Sequence, residues 1–121
     1  MSLIFAYKSR GLTKDLTILD GAGVAITPGS NDVLRIIIGR EGELIADLSG
    51  AKLTFTSDAP SANGSSITKG GGTDGSHRMR LDASDLTFPA GTYSLIFDYF
   101  DAADSSEWKN ISRQVFCLED T

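Results

Sequence analysis

"LDASDLTFPAGTYSLIFDY", residues Leu81 to Tyr99, decides how the rest of the chain is read. In its second half Tyr93, Leu95, Phe97 and Tyr99 share one face of an extended chain, with Asp98 on the opposite face. A period of two marks a half-buried strand and excludes an amphipathic helix. In its first half "LDASDL" predicts a single helical turn capped by Asp82 or Ser84, whose side chains can accept from nearby amides. Between them, "FPAGTY" supplies the proline and glycine that separate structural elements.

The same alternation runs outward in both directions. "LIFAY" (Leu3 to Tyr7) is a candidate strand, and "KDLTILD" puts Leu16 and Ile18 on one face. "VAIT" is a short extension, followed by a turn at "PGSND" (Pro28 to Asp32). In "VLRIII", Leu34, Ile36 and Ile38 share a face, while Val33, Arg35 and Ile37 take the other. Its β-branched residues suit a strand near the middle of a sheet. "GREGE" and "DLSG" turn the chain again, before a strand that points Leu53 and Phe55 inward.

Residues 58–76 are rich in Gly and Ser and predict a long loop, interrupted by a short strand at Ser66 to Thr68. "HRMRLD" then directs Met79 and Leu81 inward and His77, Arg78 and Arg80 outward. From Trp108 to Leu118 the alternation breaks phase. Ile111, Val115 and Cys117 fit one register, and Trp108, Phe116 and Leu118 fit the other. A bulge near Asn110, or burial on both faces, reconciles them. No stretch shows helical periodicity. The chain reads as an all-β antiparallel sandwich of about seven to nine short strands. Residues 1–11 are an N-terminal arm or a first strand, and residues 12–121 form the sandwich.

Composition narrows the function. At 121 residues this is one ordinary domain, and a net charge of −5 with scattered basic residues argues against nucleic acid. No apolar run approaches the ~20 residues of a membrane-spanning helix. "MSLIFAYKSRG" lacks the parts of a signal peptide, so the expected site of synthesis is a cytoplasm. One cysteine, Cys117, allows no internal disulfide and reads as a small buried hydrophobe. One histidine, His77, leaves little for zinc or for a nucleophile–histidine centre, and reads as an exposed residue at a strand start.

"TKGGGTDGS" does not follow the phosphate-loop order. Asp98, Asp101 and Asp104 could suggest calcium or catalysis. Their spacing of three and three, with no glycine among them and no flanking helices, instead fits a solvated hairpin end, with Asp98 still within the strand and Asp101 and Asp104 in the connection. No catalytic residue, cofactor or metal is expected.

That leaves contact surfaces. Leu3, Ile4, Phe5 and Tyr7 are a heavy apolar content for the start of a chain, and could add to a neighbour's sheet edge. Arg78 and Arg80 could meet an acidic partner. Tyr7, Arg78, Arg80 and Trp108 are the candidate partner contacts.

"LDASDLTFPAGTYSLIFDY" resembles the corner between two strands of immunoglobulin-like sandwiches, where a tyrosine precedes a core position by two residues. Here Tyr93 and Leu95 fill those places, with Leu95 where antibody domains carry cysteine. "LTKDLTILDGAGVAI", "DLSGAKLTFTS" and "FPAGTYSLIFDYFD", in that order, resemble the small immunoglobulin-like domains of tailed-phage virion proteins. The resemblance implies a non-enzymatic structural protein in the virion, made in the host cytoplasm. Its expected partners are other virion proteins, the major capsid protein and its own copies. Chain length favours a capsid decoration or cement protein over a tail or baseplate module. A carbohydrate-binding module using Trp108, Tyr99 and Phe100 is the alternative from another class.

Overall fold

A computed structural model describes residues 3–17, 19, 22–25, 32–40, 51–70, 76–100 and 108–120. Eight strands lie among them: β1 (Leu3–Tyr7), β2 (Leu12–Thr17), β3 (Val33–Arg40), β4 (Leu53–Thr56), β5 (Ser66–Thr68), β6 (Ser76–Leu81), β7 (Gly91–Phe100) and β8 (Trp108–Glu119). They form a five-stranded sheet, β1-β8-β7-β3-β4, and a three-stranded sheet, β2-β6-β5. In immunoglobulin terms β2, β6 and β5 are B, E and D, and β3, β7 and β8 are C, F and G. β4 extends the second set, and β1 joins it beside the last strand.

The expected antiparallel order fails at one place. β1 runs parallel to β8, pairing Leu3 with Val115 and Tyr7 with Glu119. Alternation carries no direction, so sequence could not show this. The four-residue link of residues 8–11 fixes it, because β1 must end where β2 begins in the opposite sheet.

The core lies between the sheets. Leu34, Ile36 and Ile38 of β3 and Tyr93, Leu95 and Phe97 of β7 face Leu16, Ile67, Met79 and Leu81 from the smaller sheet. Ile4, Phe116 and Leu118 close one side. Each such aliphatic or aromatic side chain contributes about 1.5–3 kcal/mol on burial. β3 and β7 are buried on both faces, since Ile37 and Ile96 are only 4% exposed on the side away from this core.

Local signals act as expected in several places. Ala83–Asp85 is a single 3₁₀ turn, and the Asp82 side chain caps it by accepting from the Ser84 amide. At the strand corner the Tyr93 hydroxyl donates to the Pro89 carbonyl at 2.5 Å, while Phe88 packs edge-on at 4.9 Å. This is the tyrosine corner of immunoglobulin sandwiches. The phase break in β8 is a bulge. Phe97 pairs with Ser112 and Asp98 with Asn110, which leaves Ile111 as the extra residue. Residues 41–50 and 101–107 lie outside the described residues, and with them the "DLSG" turn, Asp101 and Asp104.

Two glycines are required by geometry. Gly64 has φ of +97°, closing the turn in which its amide donates to the Ser61 carbonyl. A Cβ on Gly70 would lie 1.8 Å from the Ser76 carbonyl oxygen, so no side chain fits where the chain enters and leaves the β5–β6 hairpin.

Candidate functional site

Asp85 is a carboxylate that three side chains converge on. Ser61 and Ser65 both donate their hydroxyls to Oδ2 at 2.5 Å, and Asn63 donates to Oδ1 at 2.9 Å. Ser65 is fully buried, and its hydroxyl also accepts from the Asp82 amide. Burial pulls the Asp85 carboxyl upward. The hydrogen bonds from Ser61, Ser65 and Asn63 outweigh it and hold the group below the usual carboxylate range. This network pins the segment before β5 onto the turn after β6. All three donors point inward at the carboxylate, so its role is structural.

Asp98 lies within β7, as expected, but its burial corrects the expectation of a solvated carboxylate. It is 1% exposed, and the Arg35 guanidinium grips Oδ2 through both Nε, at 3.0 Å, and Nη2. The two residues are direct cross-strand partners on β3 and β7, flanked by Ile37 and Ile96. A carboxylate held this way is an internal ion pair and does not serve as a free metal ligand or base. Among the described residues, no three His, Cys, Asp or Glu side chains gather to hold a metal.

His77 is a second correction. It is buried because residues 77, 79 and 81 share one face of β6. Its Nδ1 accepts from the Gly70 amide at 2.9 Å, which leaves the ring proton of the neutral form on Nε2. It forms the floor of a surface cavity of about 380 Å³ that also involves Asp15, Thr68, Lys69, Ser76 and Arg78. The Lys69 ammonium there donates to the Asp32 carbonyl at 2.8 Å.

Arg78 and Arg80 lie on the exposed face of β6, as expected. Arg78 donates to Asp15 at 2.9 Å. That hydrogen bond and the accompanying charge attraction lower the Asp15 carboxyl and raise the guanidinium. Arg80 donates to the Gly64 carbonyl at 2.8 Å and to Asp82 at 3.1 Å. Tyr7 belongs to the other sheet, on β1, where Arg10 stacks 5.8 Å from its ring centre. Tyr7 pairs with Glu119, and Trp108 stands at the far end of that same β8. The four candidate contacts therefore do not converge. Nor do the proposed sugar-stacking residues Tyr99 and Phe100, which alternate to opposite sheet faces. Tyr99 packs on the core, and its hydroxyl donates to Asp32 at 3.0 Å.

What the described surface does offer is β1. Phe5 is 51% and Tyr7 45% exposed on one face of this edge strand, while Ile4 and Ala6 fill the core from the other. Cys117 is half-buried opposite Phe5. The signal for Phe5 was present in the sequence, as an apolar residue at outward parity. Comparison of the chain with models of protein families and with curated proteins finds no match.

Proposed function

We propose that this chain is a non-enzymatic structural protein of a tailed-phage virion, a capsid decoration or cement protein that stabilises the particle by protein–protein contact. The observation that carries the reading is the distribution of side chains. The polar groups that resemble chemistry, Asp98, Asp85 and His77, are consumed in internal bonds. The exposed large hydrophobic residues include Phe5 and Tyr7 on an edge strand. Such surfaces mark protein interaction, and strand edges bind by adding strands. The resemblance in "DLSGAKLTFTS" and "FPAGTYSLIFDYFD" supplies the virion setting. Electron microscopy of particles made without this protein tests it. Missing surface density and earlier loss of packaged genome on heating are expected, and unchanged particles overturn the reading.

A further inference from the structure

Among the described residues the two sheets present four edge strands: β1 and β4 on the larger sheet, β2 and β5 on the smaller. Exposed edges invite unwanted pairing and are normally blunted by charge, proline, bulges or shortness. β2 carries Lys14 and Asp15 at its centre. β5 has only three residues and is followed by Lys69. β4 has four and is preceded by Lys52. β1 reads Leu-Ile-Phe-Ala-Tyr, with no charge, no proline and an unbroken register.

The direction of its backbone groups follows from one bond. The Lys8 amide donates to the Glu119 carbonyl at 2.9 Å, so it points toward β8. Backbone groups alternate along a strand, so those of Ile4 and Ala6 also face β8. Those of Leu3, Phe5 and Tyr7 face outward. Among the described residues the one backbone bond formed on that outer side near β1 is from the Arg10 amide to the Tyr7 carbonyl.

We infer that β1 is a self-pairing edge. A second copy of this chain lays its β1 antiparallel to the first across a two-fold axis at Phe5, merging two five-stranded sheets. The outward donors and acceptors at positions 3, 5 and 7 are symmetric about position 5. An antiparallel copy therefore sets Leu3 opposite Tyr7 and Phe5 opposite Phe5, with the backbone groups of each aimed at its partner and the Tyr7 carbonyl shared with the Arg10 amide. The same operation stacks the two exposed Phe5 rings on one face, in the isologous manner of two-fold dimers. A five-residue edge buries less than the roughly 1,000 Å² of a stable interface, so the pairing is weak in dilute solution and fills where copies are crowded. It goes beyond the virion reading and does not depend on it: loss of the protein from particles would leave the pairing intact, and the reverse.

Sedimentation equilibrium of the full chain tests it. From about 10 μM to about 1 mM the average mass should climb from one chain toward two. Phe5→Lys should hold at one chain throughout, with an unchanged thermal midpoint, because Phe5 is half exposed and the core does not use it. Cross-linking fixes the register, in a Cys117→Ser background because Cys117 sits beside Phe5 and would capture a new thiol. Phe5→Cys should oxidise to a covalent dimer, since the paired Cα atoms lie about 5.5 Å apart. Tyr7→Cys, which faces Leu3, should not. A constant single-chain mass up to 1 mM overturns the inference. So does a dimer that survives Phe5→Lys, or cross-linking at Tyr7→Cys and not at Phe5→Cys.

Discussion

Among the described residues two arginine–aspartate pairs bridge neighbouring strands of this sandwich, and both are direct register partners. Arg35 and Asp98 link β3 to β7, while Arg78 and Asp15 link β6 to β2. The side chains of the first pair are 14% and 2% exposed, and those of the second 64% and 63%. The chemistry is the same and the surroundings are opposite. An exposed pair exchanges water for a partner and gains little. A buried pair has already lost its water, so each member depends on the other. Burial therefore decides the weight of an ion pair here.

The largest break in this comparison is Asp98→Ala. It removes the carboxylate that grips the mostly buried Arg35 guanidinium, and should cost about 3–5 kcal/mol in urea denaturation. Arg35→Met with Asp98→Leu should recover most of that, because both charges then leave together. Single changes that cost under about 1 kcal/mol would show that the pair is hydrated after all.

Next comes Asp85, a carboxylate satisfied by hydroxyls and an amide instead of a cation. Asp85→Ala should cost about 2 kcal/mol. Its folded carboxyl lies below the unfolded value, so its stabilisation is complete above the ordinary carboxylate pKa of about 3.9 and is lost as pH falls through the lower folded value. The gap in melting temperature between the parent and Asp85→Ala should be constant from about pH 7 to pH 5 and should shrink below about pH 4. A gap that grows in acid would reverse the sign.

Tyr93→Phe removes the corner bond to Pro89 and keeps the ring in the core. A loss of about 1 kcal/mol is expected. Arg78→Ala is the smallest change. At physiological salt its melting curve should overlay the parent's, and a clear drop would mean that β6 carries a partner or packing not visible in the isolated chain.

Much of this molecule was legible in its sequence, and the limits have physical reasons. Alternation in Tyr93 to Tyr99 located β7 and its core face, and the Gly-Thr-Tyr corner located the turn before it. The conflict of phase between Ile111, Val115 and Cys117 on one side and Trp108, Phe116 and Leu118 on the other announced the bulge. The burial of His77 is signalled by the parity it shares with Met79, and its polar side chain masks that signal. The burial of Asp98 is not legible locally, because its partner lies 63 residues away and neighbour spacing holds no record of that. A charge at the middle of each of two apolar strands, Arg35 and Asp98, was the available hint. The Asp85 network was hidden for a similar reason: serines in a Gly- and Ser-rich stretch look like loop residues until a distant carboxylate collects them.

The bulge has a further meaning, for changes of chain length. In the β7–β8 ladder, Ile111 stands opposite no residue, while its neighbours Asn110 and Ser112 keep Asp98 and Phe97. Deleting Ile111 would leave every other pair matched. Deleting any other residue between Ser112 and Leu118 would shift all pairs on one side of it and turn core residues outward. The strand thus contains a single spare link, a position where evolution or an engineer can shorten the chain by one without reassigning the rest.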